Sequence, residues 1–168
     1  MRFFYSEDGY TLIEIMMAVS IVGIMAVLAV FSMNRQSARY HLADAGRQVV
    51  SDLRWVRQRA IAGGSSTPAQ FDPELGKYLL PGSEERILPP SVRFGLKEGI
   101  PPLPDSARPK DGISFHHNRV TFQPNGTMTG VGGAIYLTSD QEENQAVAVS
   151  VIATGRVKIR RWTGHEWK

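Results

Sequence analysis

The sequence contains no cysteine, so a disulfide framework and a thiolate metal site are both excluded. Packing alone must therefore stabilise the fold. The absence does not exclude an oxidising compartment such as the periplasm. The net charge is also small: the sequence has 19 lysines and arginines and 16 acids, which gives a formal net charge of +3. Such a mild basic excess identifies no partner.

Sequence motifs of catalysis are also missing. The chain has no phosphate-binding loop, no G-x-S-x-G and no calcium-loop spacing. His116 and His117 are adjacent, and adjacent side chains of a strand point to opposite faces, so surface histidines are favoured over a metal site. We therefore expect a protein that is not an enzyme and that holds no metal and no cofactor.

Apolar residues are concentrated near the N-terminus. No residue from Ile15 to Asn34 is charged, and Ser20 is the one polar side chain in the run from Ile15 to Phe31. A helix rises about 1.5 Å per residue, so such a stretch covers about 30 Å, which is the thickness of the hydrocarbon core of a bilayer. The segment is therefore long enough to span a membrane.

Three interpretations of this segment compete. A cleaved secretory signal has a basic start and a shorter apolar core, whereas here Glu7 and Asp8 accompany Arg2. A plain signal anchor fits the length but leaves Glu14 unexplained. A carboxylate at the centre of a membrane helix costs roughly 2.5–3.5 kcal/mol, so Glu14 either has a partner or lies at headgroup depth and meets water.

The third interpretation comes from a resemblance. Gly9-Tyr10-Thr11-Leu12-Ile13-Glu14 resembles the signature of type IV prepilins and pseudopilins. The resemblance implies that a prepilin peptidase cleaves after Gly9 and methylates the new amine of Tyr10. It also implies that Glu14 pairs with the N-terminal amine of a neighbouring filament subunit. Many members have a proline where this chain has Phe31, so no helix break is predicted there.

Beyond residue 34 the sequence becomes amphipathic. Apolar residues recur at spacings of three and four, at Leu42, Ala45, Val49, Leu53, Val56 and Ala60. Because Gly63-Gly64 ends the pattern, we predict one helix from near Thr11 to about Ala62. Its arginines are expected to form a solvated face, the alternative being a contact surface for acidic neighbours or lipid phosphates; they stand at positions 35, 39, 47, 54, 57 and 59.

The rest of the chain is rich in short β-type runs. Seven strands are predicted, at Lys77–Leu80, Ser91–Leu96, Gly112–Phe115, Arg119–Phe122, Ala134–Thr138, Ala146–Ile152 and Arg156–Trp162. Turns are predicted at Pro124-Asn125-Gly126 and Thr154-Gly155, and an exposed proline-rich loop at Lys97–Gly112. The predicted class is α+β, with a long N-terminal helix packed on an antiparallel sheet.

The segments Val120–Gly126, Gly133–Leu137 and Val149–Val157 resemble the GspH and FimT-type minor pseudopilins. This resemblance implies a pilin-like fold and a minor structural subunit, at the tip of a type II secretion pseudopilus or a type IV pilus. The expected segments are a leader at 1–9, a transmembrane or filament-core helix at 10–34, its amphipathic continuation at 35–64 and a β-rich domain at 65–168. The subunit would cross the inner membrane once, with the C-terminal domain in the periplasm or outside, and its partners would be lipid and other subunits.

A second function is weighed for the basic C-terminal strand. Arg156, Lys158 and Arg160 alternate and so share a face, with Arg161 and Trp162 beside them, a pattern that suits a DNA backbone. The resemblance to FimT-type proteins implies DNA uptake through this strand. A solvated edge strand whose charges prevent aggregation is the favoured interpretation.

Overall fold

The computed structural model describes residues 10–104, 106 and 108–168. The predicted leader, residues 1–9 with Gly9, lies outside the described residues. Helix α1 runs from Leu12 to Gly63, which confirms the predicted span, and residue 31 lies within it. The chain divides into two compact units, one ending at Gln36 and one running from Ser37 to Lys168.

In the second unit, α1 packs through the predicted apolar face. All six predicted residues of that face are buried, namely Leu42, Ala45, Val49, Leu53, Val56 and Ala60. Gly46 brings the helix close to the neighbouring sheet, since a Cβ at this position would lie 2.6 Å from Cγ1 of Val147. Burial of this stripe is the main apolar contribution of the helix to folding.

Eight strands form two antiparallel sheets of four, which confirms the predicted α+β class. The first sheet has the order β3-β2-β1-β5, with β1 Thr67–Asp72, β2 Lys77–Leu80, β3 Glu84–Ile87 and β5 Arg119–Phe122. The second sheet has the order β4-β6-β7-β8, with β4 Val92–Phe94, β6 Gly133–Ser139, β7 Glu142–Val151 and β8 Val157–Arg161. A single core contains the helix stripe and residues of both sheets.

Three features of the β region differ from the prediction. Strands β1 and β3 were not predicted, and Gly112–Phe115 is not a strand, because only Ile113 forms an isolated bridge, to Ile135. The side chains of β3 are mostly exposed and carry no alternating pattern. Pro68 made β1 hard to predict, because proline is rare inside strands. The sheet accommodates Pro68 because β1 pairs with β2 only from Gln70 onward, so this residue has a neighbouring strand on one side alone.

The proline-rich loop, residues 97–112, has no helix or strand among its described residues, as predicted, but it is not fully exposed. Leu103 is buried in a small cluster with Ala134, Tyr136 and Ala148 on the face of the second sheet opposite the helix. The backbone N–H of Leu103 donates to the hydroxyl of Tyr136 at 2.9 Å. Trp167 closes the cluster and donates from Nε1 to the carbonyl oxygen of Pro101 at 2.9 Å. The expectation of an exposed loop therefore holds only in part, because Glu98, Gly99 and Lys110 are exposed whereas Leu103 is buried.

A buried carboxylate links the helix to the first sheet. Asp52 is 7% exposed and accepts from the hydroxyl of Tyr78 at 2.6 Å and from Nε2 of Gln48 at 3.0 Å. The Nε atom of Arg86 lies 3.7 Å from the same carboxylate. Two effects raise the pKa of Tyr78 well above its usual value: burial, which contributes most, and the hydrogen bond to Asp52. The pairing satisfies an acid that would otherwise be costly to bury.

Candidate functional site

The start of α1 contains most of the residues predicted for processing and assembly. Tyr10 is the first described residue and its side chain is 81% exposed. Thr11 caps the helix, because its hydroxyl oxygen accepts from the backbone N–H of Glu14 at 3.3 Å. Threonine at the cap and glutamate three residues later form the sequence pattern of a capping box, a pattern visible in the sequence that was not used in the prediction. Glu14 therefore also stabilises the start of the helix through its position in the first turn.

The helix after Glu14 exposes apolar side chains on every side. The large apolar residues from Ile15 to Leu28 are between 54% and 66% exposed. Ser20 donates its hydroxyl to the carbonyl oxygen of Met16 at 2.7 Å, so this polar group is satisfied within the helix. Exposed apolar surface of this extent marks a contact with lipid or with other apolar helices.

Within the described residues, no helical stretch combines the length and the apolarity that crossing a bilayer requires.

The four basic residues predicted for DNA binding do not form one cluster. Strand β8 is an edge strand, as the favoured interpretation expected. Lys158 and Arg160 pair with Ser150 and Ala148, so they lie on the face of the sheet opposite the helix. Arg161 pairs with Val147 and lies on the helix face. The predicted aromatic platform, Trp162, packs against Trp167 and donates from Nε1 to Asn144.

Arg156 instead lines a depression together with two arginines of the helix. The depression, which we call the basic pocket, has a volume of about 600 Å³ and is lined by Arg54, Arg57, Gln58, Thr154, Gly155, Arg156 and Val157. Among the residues that the structure describes, the side chains of Arg54 and Arg156 have no hydrogen bond and no acidic partner. The sequence could not indicate this pocket, because its arginines belong to two distant elements.

Two turns hold Arg57 in place. Its Nε atom donates to the carbonyl oxygen of Gly126 at 2.8 Å. Gly126 closes the predicted turn after Gln123, and Gly155 closes the one after Ile152, each with a backbone hydrogen bond of 2.8 Å. Both glycines have a positive φ, and a Cβ on Gly155 would lie 1.9 Å from the oxygen of Gly126. The two turns therefore touch, and only glycine allows this contact.

The two adjacent histidines do not lie on a strand, contrary to the prediction. His116 and His117 belong to a 3₁₀ turn, not to a strand, and their ring centroids are 3.9 Å apart. The two rings therefore lie side by side on the surface. Within the described part of the chain, no group of three or more metal-ligating side chains occurs.

Two protein families match the chain. The family described as "Type II transport protein GspH" matches residues 45–155, about two thirds of the sequence. The "Prokaryotic N-terminal methylation motif" matches residues 6–30. The two matches do not overlap, and the second one covers the predicted cleavage site and the apolar stretch.

Individual relatives agree with these matches. The chain is 28% identical over 88 residues to the type II secretion system protein H of Xanthomonas campestris pv. campestris, an alignment that spans 52% of that protein and 51% of this chain. The type IV minor pilin FimU of Pseudomonas aeruginosa has a similar structure, with a TM-score of 0.52 and 13% identity over 76% of this chain and 97% of FimU. For the minor pseudopilin EpsH of Vibrio cholerae the TM-score is 0.50, with 12% identity over 71% of this chain and 95% of EpsH. The predicted pilin-like fold is therefore confirmed.

Proposed function

The chain belongs to the GspH family of type II transport proteins, and from this premise we propose that it is a minor structural subunit of a type II secretion pseudopilus or a type IV pilus. One observation carries the proposal. A methylation motif at residues 6–30 includes the start of a helix whose apolar side chains are exposed on every side, in the same chain as a GspH-type domain. Such a helix needs an apolar environment outside its own chain.

The proposed life cycle begins in the inner membrane. The uncharged stretch from Ile15 to Asn34 is held in lipid before assembly, with the β-rich domain on the periplasmic side. During assembly the helix leaves lipid and packs among the helices of other subunits, at the tip of the filament. The protein acts mechanically in this scheme and catalyses no reaction.

Prepilin peptidase is the proposed processing partner. It cleaves after Gly9 and methylates the amine of Tyr10, and the Glu14 carboxylate then pairs with the N-terminal amine of a neighbouring subunit. In a medium of low dielectric this attraction is strong enough to select one register, although desolvation of both charges opposes it.

Mass spectrometry of the native protein tests the processing step. We expect the wild-type chain to begin at a methylated Tyr10 and the Gly9→Val variant to keep its leader, because a subsite that fits only hydrogen rejects a side chain. Gly23→Ala is the control, since a Cβ at Gly23 would meet no atom within 4 Å, and it should be processed normally. A wild-type chain that still carries Met1 would overturn the proposal.

The Glu14→Gln variant tests the assembly step. The backbone N–H of Glu14 is capped by Thr11 in either case, so the variant removes the charge and leaves the cap. We expect normal leader removal and a clear loss of protein from the sheared filament fraction on immunoblots. Asp44→Asn, which neutralises another exposed acid of α1, should assemble as the wild type does. Equal recruitment of the two variants would contradict the role of Glu14.

DNA binding is the second candidate function, and the exposed Arg156, Lys158 and Arg161 favour it. The division of these residues between the two faces of β8 argues against a single backbone track. If DNA is a ligand, full-length protein in detergent should bind an oligonucleotide with an affinity that falls steeply as the salt concentration rises. Neutralising Arg156 and Lys158 should abolish that binding. Absence of binding at low salt would exclude the DNA-binding function and leave only the structural one.

A further inference from the structure

We propose that the basic pocket is a docking site for a carboxylate-bearing segment of a neighbouring filament subunit. The inference rests on the proposed function, because it takes the partner from the filament. It adds a second point of contact, on the β-rich domain, to the one at the N-terminal helix.

Three arginines line the pocket, Arg54, Arg57 and Arg156, and no acid lines it. Arg54 and Arg57 are three residues apart on α1, so they lie on the same side of the helix. Arg57 is already oriented by the carbonyl oxygen of Gly126, so little side-chain freedom is lost when a ligand binds. One of the three guanidinium groups is therefore held in position before any partner arrives.

The lining explains why carboxylates are the expected ligands. A guanidinium group offers a planar fork of donors that matches a carboxylate in two parallel hydrogen bonds. Gln58 and Thr154 add neutral polar groups to the lining, which suit the backbone of a bound peptide. Arginines are also enriched at interfaces between proteins, where burial requires an opposite charge as partner.

A nucleic acid backbone fits the same pocket less well. Non-specific binding to DNA gains its affinity from many contacts along a track of phosphates. Here Lys158 and Arg160 lie on the opposite face of the sheet from Val157, which lines the pocket. Three arginines around one depression suit one short acidic segment better than a continuous phosphate backbone.

Binding of a fluorescent polyglutamate peptide to the full-length protein in detergent, followed by anisotropy, tests the proposal. Polyglutamate should bind, and polyglutamine of the same length should not. Arg54→Gln and Arg156→Gln should each weaken binding about tenfold, the effect of losing one charged hydrogen-bonded pair. Both side chains are exposed, so the fold should persist. Arg156→Lys keeps the charge but loses the fork, and it should recover part of the affinity.

Arg47→Gln is the matched control, because it removes the same charge from an exposed position of α1 outside the pocket. If Arg47→Gln weakens binding as much as the pocket variants do, only net charge is being measured and the proposal is overturned. An oligonucleotide that binds more tightly than polyglutamate and depends on Arg54 and Arg156 would assign the pocket to DNA instead. Leader removal after Gly9, scored on the same preparations, separates the two proposals: normal removal without peptide binding refutes the pocket alone.

Discussion

Replacement of Gly155 by alanine should destabilise the second unit far more than an ordinary loop substitution does. Gly155 has φ +76°, where a residue with a Cβ is strained by about 1–2 kcal/mol. Its Cβ would lie 1.9 Å from the carbonyl oxygen of Gly126 and 3.0 Å from Nε of Arg57. Backbone must therefore move, and overpacking of this kind costs about 1–3 kcal/mol. The expected loss of unfolding free energy is about 2–5 kcal/mol.

Gly76→Ala provides the matched comparison. Gly76 has φ +62°, but a Cβ there would meet no atom within 4 Å, so only the conformational strain remains, about 1–2 kcal/mol. Urea unfolding followed by tryptophan fluorescence measures both variants against the wild type by linear extrapolation. Equal losses for the two variants would refute the conclusion that the two glycine turns are in contact. A larger loss for Gly155→Ala than for Gly76→Ala, with weaker polyglutamate binding, would support both the contact and its role in placing Arg57.

Three further predictions follow from the packing of the second unit. Because the raised pKa of Tyr78 keeps its phenol protonated in the folded state, this stabilisation is present below pH ~10 and is lost as the pH rises further. Wild-type stability should therefore fall more steeply above pH ~10 than that of Tyr78→Phe, and parallel curves in urea unfolding would show that the pKa of Tyr78 is not raised in the folded state. Leu53→Ala should cost about 2–5 kcal/mol because the side chain is 1% exposed, whereas Leu75→Ala, at 64% exposure, should change the melting temperature little. Trp167→Ala should accelerate amide hydrogen exchange in the proline-rich loop but not in β1 and β2, since this side chain holds the loop against the second sheet; unchanged exchange in the loop would contradict that role.

The helix and the regular strands could be predicted because each has a strong hydrophobic period. The face of α1 alternates every three to four residues and is buried as predicted. Lys77–Leu80 and Arg119–Phe122 agree with β2 and β5 residue for residue, since in both strands every second residue is buried. Glu84–Ile87 could not be found in this way, because an edge strand with exposed side chains has no period to detect.

The candidate site could be predicted only where it is continuous in sequence. Gly9 to Glu14 forms one short motif, so its resemblance to prepilins was visible at once. The basic pocket depends on tertiary structure, because Arg54 and Arg156 meet only when the turn after β7 packs beside the helix. The alternation of Arg156, Lys158 and Arg160 suggested one shared face, but Arg156 precedes β8 and lines the pocket instead.

The uniform exposure of the apolar helix has a consequence for how the subunit is oriented about its own long axis. From Ile15 to Leu28 large exposed apolar side chains lie on every side of the helix, so no single apolar stripe defines which side faces a neighbour. The hydrophobic effect can hold such a helix among apolar neighbours, but it does not determine how the helix is rotated about its own axis. The Ser20 hydroxyl is already bonded to the backbone of its own helix. We therefore expect polar groups at the ends of the apolar segment to determine the rotation, and Glu14 is the nearest of them.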